Sequence, residues 1–342
     1  MTTKSLLETA LEGGTPAVTP FITYLCFVDD LRSPRWQRLI DQGLGICEGS
    51  VTFRLIETGV EDSTVEKVEG GVTHRIHTRR TPVGSVRQVS SNGWPTEPFV
   101  KEPRDYKVLQ WIVEHTDVAP RRDGYGELLE TIGDHGVITI YAGKTPAMQL
   151  SVGWAGPARF CEDVALEVPE LFELYEAMRG LFRRQMGVIA AGPGRYVRWL
   201  ENLSAGVFGP ERYDRLLGDV YREQVPLLEA AGKRALVHYD GTLRAAASAI
   251  GRSPLPIIES LTEPPEGDMM FDECRKAWPE KVFWANINMG VYALPPDQLR
   301  AEIIAKRNRA GKRGLAFEIA EDLPAAWETA IPVILQTLRE MG

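Results

Sequence analysis

The sequence predicts an α/β protein built as a single (β/α)8 TIM barrel. After residue 137, short apolar runs alternate with helix-like segments. Strands that are apolar on both faces and alternate with helices form a parallel sheet covered by helices. About seven or eight such units are present, a number that suits a closed barrel. No GxGxxG motif follows an early strand, so an open dinucleotide-binding sheet has little support.

The first third of the chain predicts a helix, a strand, a hairpin and a second helix. The N-terminal segment MTTKSLLETALEGG has the pattern of an amphipathic helix. The hairpin is an antiparallel excursion that occupies residues 51–89, with a Glu-Gly-Gly turn between its two arms. The remaining elements are a buried strand within PAVTPFITYLCF (16–27), hairpin arms at 51–60 and 71–89, and a helix within 101–116 with Pro103 in its first turn.

The rest of the chain predicts the repeating part of the barrel. We expect Pro169 to divide one long helical stretch into two helices, and Pro332 to begin the last helix. The clearest helix extends from Pro210 to Gly232, because its apolar residues recur at helical spacing. The strand candidates are VITIYAG (137–143), RYVRWLENLS (195–204), RALVHYDG (234–241), LPIIESLT (255–262), KVFWANIN (281–288) and RGLAFEIA (313–320).

The composition of the chain argues against several classes of partner and cross-link. The chain has 342 residues and a net charge of −8, with no basic block interleaved with aromatic residues, which argues against a nucleic-acid partner. It contains no 18-residue apolar run and no signal-peptide pattern, so we expect a cytoplasmic protein without a membrane partner. The four cysteines form no CxxC pair and predict no disulfide framework. We expect one domain, 1–342; a homodimer is compatible with the sequence.

Two polar residues follow the predicted strand RALV, at the edge where barrel enzymes carry their active sites. His238 and Asp240 are two positions apart, so both side chains point to one side of an extended segment. With a carboxylate from another strand they could form a metal site with three ligands and an open position. The alternative is a hydrogen-bonded histidine at an ordinary strand end, and the spacing alone leaves both open.

Further candidates lie at other strand ends. Glu259 lies within a predicted strand, where a carboxylate needs a partner or solvent, so a catalytic and a structural role are equally compatible. Asn202 is a further catalytic candidate, which either touches a substrate or only bonds local backbone. Asn286 and Asn288 alternate with an isoleucine and can both face the barrel interior. The early loop supplies candidate substrate-binding residues, with core packing as the alternative for the aromatic ones: Tyr24, Phe27, Arg32 and Trp36.

Several short motifs occur in a distinctive order along the chain. They are TPFITY, TRRTPVGSVRQ, KEPRDYKVLQWIVEHT, AAGKRALVHYDG, IIESLTEPPEGDM and FEIAEDLP. In this order and spacing the chain resembles the uroporphyrinogen decarboxylase superfamily, and within it the branch of corrinoid-dependent methyltransferases. The resemblance covers most of the chain and implies a TIM barrel.

The motifs of the superfamily also distinguish its decarboxylases from its methyltransferases. The decarboxylases carry an arginine-rich RQAGR-type motif near the N-terminus, and TYLCFVDDLRSPRWQR lacks it, so porphyrinogen decarboxylation is not expected. The methyltransferases bind zinc through His-x-Cys-Gly and a second cysteine near the C-terminus. His238 matches that histidine, Asp240 stands in place of the first cysteine, and Glu318, Glu321 and Asp322 lie where the second would be. The resemblance therefore implies a zinc site at His238, Asp240 and Glu321.

The expected function follows from this substitution. A histidine with carboxylates is a harder ligand set than thiolates and can polarise an oxygen atom. We expect a methyltransferase that moves a methyl group from a small O-methylated donor, methoxyaromatic compounds included, to a corrinoid protein. The chain contains no DxHxxG motif, so the cobalamin would arrive on that partner. The alternatives are a related decarboxylase of a small carboxylated substrate and a barrel that binds a small molecule without catalysis.

Overall fold

The computed structural model describes residues 2–121 and 123–342. Their strands, numbered along the chain, are β1 Phe21–Tyr24, β2 Leu44–Ser50, β3 Phe53–Glu57, β4 Glu61–Glu69, β5 Val72–Thr81, β6 Gly84–Ser91, β7 Trp94–Glu97, β8 Thr116–Pro120, β9 Gly136–Tyr141, β10 Tyr196–Trp199, β11 Arg234–His238, β12 Ile257–Leu261, β13 Val282–Asn286 and β14 Leu315–Glu318.

The α-helices of the same residues are α1 Thr3–Leu11, α2 Pro34–Asp41, α3 Pro103–Glu114, α4 Tyr125–Ile132, α5 Pro146–Met148, α6 Pro157–Ala165, α7 Pro169–Ala191, α8 Ala205–Arg212, α9 Asp219–Ala230, α10 Ala247–Arg252, α11 Phe271–Ala277, α12 Pro296–Ala310 and α13 Trp327–Met341. Two π-helical segments, Gln149–Trp154 and Tyr213–Gly218, follow α5 and α8. None of the helices in the described residues is long and apolar enough to span a bilayer.

Eight parallel strands close into a barrel in the order β1-β14-β13-β12-β11-β10-β9-β2. The first and last strands pair directly, with Phe21 opposite Phe317 and Ile22 opposite Glu318. The N-terminal helix α1 contributes buried Leu7 and Leu11 to a core cluster that includes residues of the barrel strands. The predicted (β/α)8 barrel with an N-terminal helix is therefore confirmed.

The described residues divide into two compact units. Residues 2–52, 123–143 and 193–342 form the unit that contains the barrel, and residues 53–121 and 144–192 form the other. The second unit holds a four-stranded antiparallel sheet, β4-β5-β6-β7, a two-stranded sheet, β3-β8, and the helices α3 and α5–α7. The antiparallel excursion predicted for residues 51–89 is present in this unit.

The arms of the excursion differ from the prediction. Strand β3, expected to pair within the hairpin, pairs instead with β8. The partner of β5 is β4, a segment the sequence did not single out. Every residue of β4 is exposed, and its sequence EDSTVEKVE carries charges on both faces. It therefore lacks the alternation of apolar and polar residues by which a strand is recognised.

Two other local predictions were incomplete or wrong. Barrel strand β2, LGICEGS, was not predicted, because glycines and a glutamate replace the usual β-branched residues. Its Gly45 is needed for packing, since a Cβ there would lie 2.6 Å from a side-chain carbon of Ile22. Pro332 lies inside α13 and does not begin it. The helix begins at Trp327, whose indole stacks on Trp36 at 4.4 Å, and this packing fixes the start one turn earlier.

Candidate active site at the carboxyl end of the barrel

Five of the eight barrel strands each direct one hydrogen-bonding side chain into a shared cluster. The contributors are Tyr24 on β1, Arg198 on β10, His238 on β11, Glu259 on β12 and Glu318 on β14. Three of these residues are the last of their strands, which places the cluster at the carboxyl end of the barrel. Parallel barrels build their active sites at this end.

Glu259 is the centre of the cluster and is fully buried. Its Oε1 accepts hydrogen bonds from the Tyr24 hydroxyl, at 2.8 Å, and from the Arg198 guanidinium. Its Oε2 lies 2.6 Å from Nδ1 of His238. Burial disfavours the anion, but the positive charges of Arg198 and His238 and these hydrogen bonds outweigh it, lowering the pKa of Glu259 to about 2. Glu259 is therefore a carboxylate, and His238 is the donor in their shared hydrogen bond.

Arg198 supplies the compensating charge beneath the site. Its side chain is 3% exposed, and its guanidinium lies over the rings of Tyr141, at 4.6 Å, and Tyr24, at 5.6 Å. It also donates a hydrogen bond of 2.6 Å to the Tyr141 hydroxyl. The absence of a side chain at Gly49 leaves room for the Tyr141 ring. Arg198 was not among the residues predicted from the sequence, although a charged residue in the apolar strand YVRW requires a buried partner and is itself a signal.

The outer nitrogen of His238 faces two carboxylates. Its Nε2 lies 3.8 Å from Oδ2 of Asp240 and 3.8 Å from Oε1 of Glu321. One ligand atom from each of the three residues falls within 4.8 Å of the others, the one such group of His, Cys, Asp and Glu in residues 2–121 and 123–342. The two acids are partly exposed, with side-chain accessibilities of 35% and 54%. The group is thus open to solvent on its carboxylate side.

This geometry fits a divalent metal. Zinc lies about 2.0–2.2 Å from nitrogen and oxygen ligands, which places tetrahedral ligand atoms roughly 3.3–3.6 Å apart. The two gaps of 3.8 Å from His238 need to close only slightly, and all three ligand atoms lie within 4.8 Å of one another. Metal-binding histidines typically donate their other N–H to a carboxylate, and here Nδ1 of His238 donates to Glu259. His238, Asp240 and Glu321 would therefore hold the ion, and Glu259 would orient the histidine.

The electrostatics of the group favour a cation. Burial alone lowers the pKa of His238, but the charge of Glu259, the hydrogen bond to Glu259, and the nearby carboxylates of Asp240 and Glu321 outweigh it and raise that pKa to about 11. The pKa of Asp240 is lowered despite burial, because the positive charge of the nearby His238 imidazole attracts its carboxylate. The three carboxylates thus stabilise a positive charge on or beside the imidazole ring, and a metal ion can replace the proton there.

A bulge in β12 adds a second polar residue to the site. The pairing of β12 with β13 shifts between Glu259 and Leu261, and Ser260 adopts a left-handed backbone with φ +63°. The Ser260 hydroxyl donates to Glu321 and accepts a hydrogen bond of 2.7 Å from Nδ2 of Asn286. Asn286 also approaches Glu321, at 3.4 Å, and its Oδ1 is buried and has no hydrogen-bond partner among the described residues. The bulge therefore lets two consecutive residues serve the site.

Replacing Ser260 is expected to separate backbone strain from hydrogen bonding. Ser260→Ala and Ser260→Gly both lose the hydroxyl that supports Glu321, but only glycine relieves the positive φ. A left-handed non-glycine residue costs about 1–2 kcal/mol, partly offset by the greater freedom of glycine in the unfolded chain. The Gly variant should be about 1 kcal/mol more stable than the Ala variant in urea unfolding monitored by circular dichroism. Equal stabilities would show that the backbone of Ser260 is unstrained.

Two predicted substrate-binding residues lie in other environments. Asn288 donates to the backbone of Glu263, at 2.8 Å, and to Glu266, and accepts from Lys306 at 2.6 Å. Trp36 is fully buried and donates to Asp29 at 2.7 Å. Its stacking on an indole of the C-terminal helix corresponds to the packing alternative. Neither residue is hydrogen-bonded to the cluster around Glu259 in the described residues.

The remaining predicted residues follow the barrel strands β1 and β10 along the chain. Phe27 is half-buried and lies edge-on to the Tyr24 ring, with centroids 5.9 Å apart. Arg32 and Asn202 are exposed on loops that follow β1 and β10. A role for these three residues in substrate binding stays a prediction.

Comparison with known proteins gives the fold independently. No family model matches the chain, and no curated protein matches its sequence. Among solved structures, the chain is similar to a methyltransferase from Methanosarcina mazei, with a TM-score of 0.60 and 10% identity over 100% of this chain and 99% of that one. It is also similar to a B12-independent methionine synthase from Shewanella sp. W3-18-1, with a TM-score of 0.40 and 10% identity over 66% and 68% of the two chains. The first likeness shows a shared fold, and the second is too distant to add to it.

Proposed function

We propose that this chain is a metal-assisted methyltransferase that moves a methyl group from a small O-methylated compound, methoxyaromatic donors included, to a corrinoid protein. One observation carries the proposal: His238 donates through Nδ1 to buried Glu259 and directs Nε2 toward Asp240 and Glu321, at the carboxyl end of a (β/α)8 barrel. The fold shared with a protein described as a methyltransferase supports it.

The reaction places a specific demand on the site. When a methyl–oxygen bond breaks, both electrons stay on the oxygen, the methyl group bonds to the cobalt of the reduced corrinoid, and the oxygen must finally take up a proton. An alkoxide or phenoxide is a poor leaving group, so stabilisation of its negative charge lowers the barrier. A divalent metal at the three ligands would supply that stabilisation as a Lewis acid.

The residues of the chain account for the rest of the proposal. Glu259 holds the imidazole of His238 in one orientation, and Arg198 keeps Glu259 ionised. Asp240 and Glu321 provide hard oxygen ligands that suit activation of an oxygen atom. The edge-to-face pair of Tyr24 and Phe27 offers an aromatic surface near the cluster, which favours a methoxyaromatic donor.

Methyl transfer to a reduced corrinoid tests the proposal. The zinc-loaded protein is mixed with cob(I)alamin and a set of methoxylated aromatic compounds, and methylcobalamin is followed by its absorbance while chromatography detects the phenol. We expect turnover in the wild type and a loss of at least about 100-fold in Asp240→Asn, because a ligand charge is removed while the shape is kept. Glu280→Gln, a similar change at an exposed surface pair with Arg313, should match the wild type.

Other outcomes contradict the proposal. Release of carbon dioxide from a small carboxylic acid, with no methylcobalamin from any donor, would identify a decarboxylase. Tight binding of a donor with no turnover by the zinc-loaded protein would identify a binding barrel. Equal rates in Asp240→Asn and the wild type would remove Asp240 from the reaction.

A further inference from the structure

The Tyr24 hydroxyl lies within hydrogen-bond distance of two carboxyl groups but can donate its proton to only one of them. Its oxygen lies 2.8 Å from Oε1 of Glu259 and 2.8 Å from Oε2 of Glu318. A phenol has one proton and donates one strong hydrogen bond. If both acids were ionised, one of these contacts would bring two oxygens together with no hydrogen between them. One of the two carboxyl groups therefore carries a proton and donates it to the Tyr24 oxygen.

The partners of the two acids show which one carries it. Glu259 accepts hydrogen bonds from the cation Arg198 and from His238, so its charge is compensated. Glu318 is equally buried, and its other hydrogen-bond donor in the described residues is the backbone N–H of Ser260, at 3.1 Å. An ionised carboxylate without a paired cation is costly at such a position. The proton thus belongs on Oε2 of Glu318.

We propose that Glu318 is a neutral carboxylic acid whose proton sets the direction of a hydrogen-bond chain, from Glu318 to Tyr24 and from Tyr24 to Glu259, and that it thereby positions His238 as a metal ligand. The positioning role rests on the function proposed above. With Tyr24 donating to Glu259 and Arg198 holding the same oxygen, Oε2 of Glu259 is left for Nδ1–H of His238. When a metal ion replaces the proton on Nε2, the lone pair of that nitrogen faces Asp240 and Glu321.

The electrostatics of the surroundings agree with this assignment. Burial, followed by the negative charge of Glu259, raises the pKa of Glu318 well above its usual range. Burial and the same anion also raise the pKa of Tyr24, so the phenol stays protonated. The titratable groups that face Glu318 come from several elements: Tyr24 of β1, Cys47 of β2, Arg198 of β10, His238 of β11, Glu259 of β12 and Tyr292 of the segment Met289–Ala293.

Infrared spectroscopy tests the proton itself. A protonated carboxylic acid has a C=O stretch above the amide bands that shifts in D₂O, whereas a carboxylate lacks it. The difference spectrum between the wild type and Glu318→Gln, both metal-free and near neutral pH, should contain one such band. Its absence would overturn the assignment of the proton to Glu318, whatever the protein catalyses.

Zinc affinity tests the positioning role. Glutamine can donate from its amide to Tyr24 and accept from Ser260, so Glu318→Gln should bind zinc within about threefold of the wild type, whereas Glu318→Ala should lose about 10–100-fold, as measured by calorimetry. Tyr24→Phe should show a loss similar to that of Glu318→Ala. Equal losses in the Gln and Ala variants would overturn the role. If the Ala variant does not fold, a 10-fold loss of zinc affinity in the Gln variant alone would overturn the positioning role.

The two experiments distinguish this inference from the proposed function. If the wild type binds no zinc, the proposed function and the positioning role both fail, while the infrared band still decides where the proton lies. If the wild type binds zinc and transfers methyl groups but the band is absent, this inference alone fails.

Discussion

Glu259→Gln is expected to lower the free energy of unfolding by about 3–5 kcal/mol, because it leaves the Arg198 guanidinium buried without its counter-charge. Arg198 and Glu259 are 3% and 0% exposed, so solvent does not replace the lost partner. The amide can still accept from Tyr24, but it no longer offers charged acceptors to both Arg198 and His238. Denaturant unfolding of the metal-free protein at neutral pH measures the loss.

Glu318→Gln is the matched control for this prediction. The same substitution is made at an equally buried glutamate that shares the Tyr24 hydroxyl. Since we assign a proton to Glu318, a neutral amide should change the free energy of unfolding by no more than about 1 kcal/mol. Losses of equal size in the two variants would contradict the distribution of charge described here.

The pH dependence of stability gives a second measure of Glu259. Its folded-state pKa is lowered to about 2, below the ordinary value of 4.5. Its contribution to stability is therefore present above about pH 4.5 and is lost as the pH falls toward 2. Unfolding curves of the wild type and Glu259→Gln should differ most near neutral pH and converge in acid. A difference that stays constant down to pH 2 would show that Glu259 does not titrate as described.

His238→Ala is expected to reduce zinc affinity by more than about 100-fold, because it removes the one nitrogen ligand and the link to the buried carboxylate. The remaining Asp240 and Glu321 are partly exposed acids that bind the ion weakly without it. Calorimetric titration with zinc, together with metal analysis of the purified protein, measures the effect. His135→Ala, at an exposed histidine of the same unit, should bind zinc as the wild type does.

A smaller loss of zinc affinity than in His238→Ala is expected when only the orientation of the His238 ring is disturbed. Glu259→Gln keeps all three proposed ligands but weakens the acceptor of Nδ1–H, and such changes typically cost about 10–100-fold in metal affinity.

If the His238→Ala and His135→Ala variants bind zinc equally well, the ion does not bind at His238, Asp240 and Glu321.

The barrel was predictable from the sequence because seven of its eight strands are short apolar runs between helices. Strand β2 was not predictable, since the sequence LGICEGS forms a barrel strand through close packing that its small residues permit. Strand β4 was not, since its charged residues are exposed and have no apolar face. Pro332 was placed at a helix start by its chemistry, whereas tertiary packing of the preceding turn extends the helix.

The site was predictable where chemistry coincides with a strand end. His238 and Asp240 follow from that rule, Glu259 was a candidate as a carboxylate within a predicted strand, and the family resemblance indicated Glu321. The sequence does not predict that Glu259 is ionised. The charge of this buried acid depends on the positions of Arg198 and Tyr24, which reach it from other strands of the barrel. The role of Ser260 depends on a bulge and a positive φ that no sequence pattern indicates.

A crystal structure of the zinc-equilibrated protein, with anomalous data collected at the zinc edge, tests directly whether His238, Asp240 and Glu321 bind a metal ion. We expect one strong anomalous peak within about 2.0–2.2 Å of Nε2 of His238 and of one oxygen each from Asp240 and Glu321. Nδ1 of His238 should remain hydrogen-bonded to Glu259. A peak bound to other residues, or no peak at this group at saturating zinc, would show that these three residues do not form a zinc site.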